Sequence, residues 1–444
     1  QGDRPGLCQT HHASLDADVP AAIATLDRCE TLNPAWRDYC LSPTAHRVVW
    51  RNDGLYPPTY YSAMGLLAGT NVVVSALIMR IASVLVAAAL LGAVLALAPP
   101  RIARSYLLAF AVGIVPLGLF LIASNNPNGW TIAGTPAAFA LASAWLAAVD
   151  ASRRWRIAVV ALLLSAALIA SARADGAILV LAALAAAVIL HLPAGFLHGG
   201  RRGRALVRLL WPLGLAAAIC LIAILSSTQL TVHSSGMKGS TVGTDGYTAF
   251  LPGRSNPPLE LLAHNVWNLP RLIVGSFGWP LDVGFGWLDV PLPAPGTACV
   301  FLLLSASLIL GLSDMWRRKA WAAGLLLIPV AVFPLVVLQR GANTVGEAVQ
   351  PRYLLPAVIV LLAVLLTTRV GSRAWPTQRG ILLLVGIALA VGLSAGSYAL
   401  LDFYRWSPTP SLPTTVVLAA SLVAAAGFAA STVNALDRLS RDAN

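Results

Sequence analysis

The sequence predicts an all-α, polytopic membrane protein, and three observations carry that reading. Of the 444 residues, 57% are hydrophobic and only 11% charged, whereas a soluble domain carries about 25% charge. Mean hydropathy is +0.75. The apolar residues are gathered into runs of roughly 16 to 27 residues, the length an α-helix needs to cross a hydrocarbon core of about 30 Å. Short Arg-rich or Pro/Gly-rich pieces separate those runs. A soluble enzyme is thereby excluded. The net charge of +12 and a pI near 10.1 do not point to nucleic acid once the cations are placed against the bilayer.

Hydropathy places membrane helices over 71–98, 105–123, 131–149, 157–172, 175–195, 209–227, 295–312, 320–338, 354–369, 380–400 and 414–434. That makes about eleven in this chain. The intervening connections on one side, with Arg369 at a helix end, hold 17 of the 30 Lys and Arg, among them Arg201, Arg202, Arg204, Arg208, Arg317, Arg318 and Lys319. By the positive-inside rule this side is cytoplasmic. The organisation expected is an extracytoplasmic first loop over 1–70 with a short amphipathic helix, a first bundle over 71–227, an extracytoplasmic loop over 228–294, a second bundle over 295–434 and a cytoplasmic tail over 435–444. The chain starts at Gln1 without Met or a signal-peptide core, so a missing upstream helix, giving about twelve spans, or a cleaved signal peptide is expected.

Cysteine usage fits this orientation. Cys8, Cys29 and Cys40 fall in the exported first loop, where a Cys29–Cys40 disulfide is expected. Cys220 and Cys299 sit in or beside apolar helices, where Cys acts as a small apolar residue. His11 and His12 beside Asp16 and Asp18 have a spacing that permits a metal, but the sequence lacks matching distal ligands. No metal site is assigned; no cofactor is certain, with room left for a divalent cation.

Walker, HExxH, CxxC and dinucleotide-glycine patterns are absent from the sequence, so function is sought in the polar stretches at the outer helix ends. Four qualify: Asp53-Gly-Leu-Tyr-Pro-Pro-Thr-Tyr-Tyr61, Ser124-Asn-Asn-Pro-Asn-Gly129, Gly284-Phe-Gly-Trp-Leu-Asp-Val-Pro-Leu-Pro293 and Gln350-Pro-Arg-Tyr-Leu-Leu-Pro356. Pro57 and Pro58 fix a turn before a short helix, which sets Tyr56, Tyr60 and Tyr61 at headgroup depth, as an aromatic belt or as part of a site. The Asn125, Asn126 and Asn128 amides make a tight turn or bind a polar headgroup or sugar. Trp279, Trp287 and the Asp289 carboxylate resemble a carbohydrate platform, though an interfacial Trp is the commoner case.

Charges near apolar spans say more, because one at the bilayer centre costs at least about 2.5 to 3.5 kcal/mol. Arg80, Arg173, Asp175 and Arg352 are such groups. Arg173 and Asp175 pair locally across the turn Ala172-Arg-Ala-Asp-Gly176, or Arg80, Arg173 and Arg352 gather to clamp a lipid-linked phosphate by bidentate hydrogen bonds.

In their order, the Tyr-Pro-Pro-x-Tyr-Tyr stretch, the Arg soon after it, the Asn-Pro-Asn-Gly turn, the Arg-containing turn, the Gly-Trp-Leu-Asp-x-Pro-Leu-Pro loop and the Gln-x-Arg-Tyr-x-Leu-Pro stretch resemble the uncharacterised bacterial multipass proteins grouped as domain-of-unknown-function family twenty-one forty-two. The resemblance covers about residues 53–400. That family is similar to the GT-C class of integral membrane glycosyltransferases. The likeness implies a GT-C-like fold in a bacterial plasma membrane with the C-terminus cytoplasmic, and transfer of a sugar from a polyprenyl-phosphate donor to a cell-envelope glycan or lipid acceptor on the outer face. Arg80, Arg173 and Arg352 would hold the donor phosphate; Tyr56, Tyr60, Tyr61, Asn126, Asn128, Trp287, Asp289, Gln350 and Tyr353 would line the substrate site. The family's Pro-Asp-Glu stretch after its first span is absent here, so Asp53, just before the Tyr-Pro-Pro turn, stands in as general base in preference to Asp3, Asp16 and Asp18. A lipid or polysaccharide transporter and a noncatalytic envelope-assembly scaffold remain the competing readings. Partners are lipids and glycans, with no nucleic acid.

Overall fold

The computed structural model describes residues 57–69, 71–114, 116–147, 153–192, 203–227, 258–275, 292–311, 315–340, 343–345, 349–368, 379–404 and 414–441. Among the described residues regular structure is helical throughout. Its elements are α1 Pro58–Gly65, α2 Val72–Leu97, α3 Pro100–Gly113, α4 Leu117–Ile122, α5 Pro127–Ala147, α6 Arg153–Ala172, α7 Ala174–His191, α8 Gly203–Ser226, α9 Pro258–Gly275, α10 Ala294–Gly311, α11 Trp316–Leu327, a π-helical turn Ile328–Val332, α12 Phe333–Arg340, α13 Pro351–Leu366, α14 Arg379–Tyr404 and α15 Thr414–Arg441.

Seven of the helical stretches are long and apolar enough to cross a membrane: Val74–Leu97, Trp155–Ala172, Ala174–His191, Leu209–Ser226, Trp316–Arg340, Leu382–Ala399 and Leu418–Arg441. Shorter apolar helices cover Ala294–Ile309 and Pro351–Leu366. The protein is an all-α multipass membrane protein. Two expected spans depart from the simple pattern. The stretch expected as one helix over 105–123 is split, α3 ending at Gly113 and α4 starting at Leu117 after Pro116, because proline lacks the N–H that would carry the ladder on. Helix α5 starts at Pro127, four residues before the expected 131, and nearly all of it is buried. Shielded from lipid by its neighbours, it tolerates the buried polar residues Asn128, Thr131, Thr135 and Ser143.

Helix α5 packs against α2, α3, α6, α7 and α13, and α13 in turn touches α3, α7, α10 and α11. One apolar core therefore runs through both halves of the chain, from Ala87 and Tyr106 to Leu389 and Leu436. Small residues permit the close approaches: a Cβ on Gly134 would stand 2.6 Å from Cγ1 of Ile169.

Specific bonds fix which helix ends share a side. At one end the Ser105 hydroxyl donates to the Leu366 carbonyl at 2.8 Å, Trp145 Nε1 to Leu209 at 2.6 Å, Arg318 Nη1 to Leu190 at 2.9 Å and Lys319 Nζ to Gly311 at 2.6 Å. Arg101, Arg104, Arg317, Arg318 and Lys319 lie at this cation-rich end, where Arg104 and Lys319 are buried. At the opposite end Asn125 Nδ2 donates to Ala76 at 3.4 Å, and Gln339 Nε2 to Pro258 at 2.8 Å.

Candidate functional site

The opposite end is built from three helix starts. Helix α5 begins at Asn126-Pro127-Asn128-Gly129. The Asn126 side chain accepts from the Asn128 backbone N–H at 3.0 Å, which is how an N-cap satisfies an orphan amide, and Pro127 occupies the first helical position where no N–H is missed. Glycine is required at 129: a Cβ there would lie 2.7 Å from the Leu121 carbonyl oxygen. The tight-turn reading and the helix start use the same residues. Asn126, expected among ligand-binding amides, spends its oxygen on the cap, and Asn128 is buried at 4% exposure.

Next to it sits a small apolar cluster of Tyr60, Met64, Met79, Trp130 and Ala172. Tyr60 meets the Trp130 ring edge-on at 4.9 Å and Tyr61 at 5.4 Å. The short helix expected after Pro57 is present as α1, and it is Tyr60, 2% exposed, that docks it. This ring anchors α1; Tyr61 stays half-buried at the cluster's edge.

The third start carries the charges. A single extended residue, Arg173, joins α6 to α7 (φ −155°, ψ 136°). Its Nε and Nη2 donate to Oδ1 and Oδ2 of Asp175 at 2.8 and 2.7 Å, the two-pronged geometry that suits guanidinium and carboxylate. Asp175 also accepts from the Gly176 N–H at 3.0 Å, and its charge sits favourably in the first turn of α7. The local pair is thus formed, and it is buried, with side-chain exposures of 4% and 12%.

Helix α13 brings its own start to the same place. The Arg173 guanidinium lies 4.7 Å from the centre of the Tyr353 ring, and the Arg352 guanidinium 5.3 Å from it. One aromatic ring thus contacts two cations, an arrangement stabilised by the ring's negative faces. Arg352 Nη2 reaches the Tyr353 hydroxyl at only 3.5 Å. Arg352 Nε and Gln350 Oε1 are buried without a hydrogen-bond partner among the described residues. Buried polar atoms of this kind ordinarily have partners.

Beside these residues opens a small crevice of about 20 Å³, lined by Asp175, Leu179, Pro329, Phe333, Val349 and Tyr353. Pro329 and Phe333 belong to the π-helical turn and its exit. Such turns are frequent at functional sites. Sequence reasoning passed over both residues; the pair of prolines 329 and 334 inside one apolar span was the available signal.

Arg80 does not join this group. It stands exposed on α2 directly after buried Met79, and among the described residues no bond or ring contact links it to Arg173 or Arg352. Of the three arginines expected to hold the phosphate, Arg173 and Arg352 share the Tyr353 ring, and Arg173 is ion-paired with Asp175. Asp53, Tyr56, Trp279, Trp287, Asp289, the Cys8, Cys29 and Cys40 thiols and the His11, His12, Asp16 and Asp18 group lie outside the described residues. Cys220 and Cys299 are free thiols.

Residues 31–362 match the family model described as Predicted membrane protein (DUF2142). The chain belongs to this family. In this DUF2142 protein the match takes in α1 to α12 and most of α13, hence every described residue of the Arg173–Tyr353 group, and ends before α14. No curated protein and no solved structure matches the chain.

Proposed function

We propose that this protein is a membrane glycosyltransferase of GT-C type, in a bacterial plasma membrane, that moves a sugar from a polyprenyl-phosphate donor to a cell-envelope glycan or lipid on the outer face. The observation that carries the reading is the buried Arg352 Nε and Gln350 Oε1, without a hydrogen-bond partner among the described residues, at the helix start whose Tyr353 is shared with Arg173. An arginine donor and an amide acceptor at one helix start suit a phosphate ester and a sugar hydroxyl respectively. The small crevice beside them is lined mainly by apolar side chains, among them Leu179, Pro329 and Phe333.

In the reaction a carboxylate takes the proton of an acceptor hydroxyl as its oxygen bonds to the anomeric carbon. The bond from that carbon to the phosphate oxygen breaks, and its electron pair leaves with the phosphate. Arg352, supported by Arg173 through the Tyr353 ring, stabilises the charge that develops on the departing oxygen.

The test is reconstituted protein with a polyprenyl-phosphate sugar and an acceptor glycan. Free polyprenyl phosphate and a new glycosidic bond are expected without any nucleotide sugar. Movement of intact lipid across the bilayer with no bond broken would put a transporter in its place. Arg352→Ala should weaken donor binding by about 1.5 to 3 kcal/mol, the worth of a hydrogen bond to a charged group, while Arg318→Ala at the other end of the bundle leaves it unchanged. Equal affinity in both variants removes Arg352 from the site.

Orientation follows from the cation-rich end, which the positive-inside rule assigns to the cytoplasm together with the C-terminus. In a background with the five native cysteines replaced, a thiol probe that cannot cross membranes should label Gly243→Cys in intact cells and leave Gly203→Cys unlabelled. Labelling at position 203 alone inverts the proposed topology.

A further inference from the structure

The stretch expected as a plain extracytoplasmic loop over 228–294 contains an 18-residue helix, α9. Its surface divides into three sectors when residues are placed at 3.6 per turn. Leu261, Asn265, Leu272 and Gly275 form a buried stripe against α12 and α13. Glu260, His264 and Arg271 form a polar strip along one border. The remaining sector holds Leu259, Leu262, Ala263, Val266 and Pro270, all exposed, with Trp267 at its edge.

The exposure is large: Leu259 80%, Val266 51% and Trp267 84%. A contiguous apolar face of this kind marks an interaction surface. Glu260, His264 and Arg271 along its border weigh against burial of the whole helix in the hydrocarbon core.

Its height in the molecule is fixed by hydrogen bonds. Asn265 is fully buried; its Nδ2 donates to the Asn343 carbonyl at 2.9 Å and its Oδ1 accepts from the Val345 N–H at 2.9 Å. The Pro258 carbonyl accepts from Gln339 at 2.8 Å. Residues 343–345 lie in the connection between the membrane-crossing stretch Trp316–Arg340 and the apolar helix Pro351–Leu366. A helix tied there sits at the level of the bilayer surface, with one face toward the protein and the opposite one toward lipid.

We propose that α9 is an interfacial helix, lying in the headgroup layer with Leu259, Leu262, Val266 and Pro270 immersed at the acyl-chain boundary and Trp267 at the interface. Amphipathic helices with an apolar face and a charged border take this position, and tryptophan is enriched at that depth. The occupant of the exposed face is the phospholipid leaflet itself. Because α9 packs on α12 and α13, which supply Phe333 and Tyr353 to the crevice, the helix also ties that opening to headgroup depth. The inference is independent of the proposed chemistry.

It is tested with spin labels on single cysteines at two exposed positions, Val266→Cys and Glu260→Cys, in the full chain with native cysteines replaced and reconstituted in phosphatidylethanolamine and phosphatidylglycerol vesicles. At 266, oxygen should relax the label more strongly than a water-soluble nickel chelate, and lipid carrying a nitroxide near the headgroup should broaden its spectrum. The order of the two relaxants should invert at 260. Equal access of the chelate to both positions would make α9 an aqueous helix and overturn the proposal. Exclusion of the chelate from 266 with no broadening by labelled lipid would also overturn it, and would mean that a protein surface covers this face.

Discussion

Asp175→Ala lowers the stability of the folded bundle by about 3 to 5 kcal/mol, the cost of removing one member of a buried ion pair. Arg173 gives two hydrogen bonds to that carboxylate, at 2.8 and 2.7 Å, with a guanidinium side chain only 4% exposed. Deleting the acid leaves a buried cation without its carboxylate. The Tyr353 ring remains beside it, but a cation–π contact returns only about 0.5 to 2 kcal/mol. Removing both charges, as Arg173→Met with Asp175→Leu, should cost much less, because no charge is left buried. Equilibrium unfolding in mixed SDS micelles reads the difference. If the single and double variants unfold together, the pair contributes through shape alone and the electrostatic account fails.

The same residues show how far the sequence speaks. The Arg173–Asp175 pair is legible because both partners sit on one turn, two residues apart, with nothing needed from elsewhere in the chain. Tyr353 between two guanidiniums is not, since it depends on α7 and α13 starting side by side, and hydropathy carries no information about which spans are neighbours. Helix existence reads well where a run is uniformly apolar, as in α2 and α7. It reads poorly in α9, whose three sectors average out in any hydropathy window and whose Pro270 looks like a loop signal. Asn126 illustrates a different limit. An amide beside a proline serves equally to cap a helix or to meet a ligand, and only the 3.0 Å bond from Asn128 decides. Tyr60 and Tyr61 are adjacent and chemically identical, yet one is the buried anchor of α1 and the other stands at the cluster's edge.

Assigning the ion pair also narrows the search for the catalytic base, and Asp53→Asn is the variant expected to have the largest effect on turnover. Asp175 is already engaged: it accepts two bonds from Arg173 and one from the Gly176 N–H, which occupy the oxygens a base would offer an acceptor hydroxyl. The base on the proposed reading is therefore a first-loop acid, and Asp53 precedes the Tyr-Pro-Pro turn that leads into α1. Tyr60 docks α1 against Trp130 and Ala172, and Ala172 is the residue before Arg173. General-base catalysis contributes roughly 10²- to 10⁴-fold. The Asn variant should lose turnover on that scale while binding the polyprenyl-phosphate donor as the parent does, because the amide keeps the shape and gives up only proton acceptance. Arg352→Ala should show the complementary pattern, with weakened donor binding. Unchanged turnover in Asp53→Asn would assign the proton to another acid, and a parallel loss of donor affinity would mean that Asp53 orders the site instead of carrying the proton.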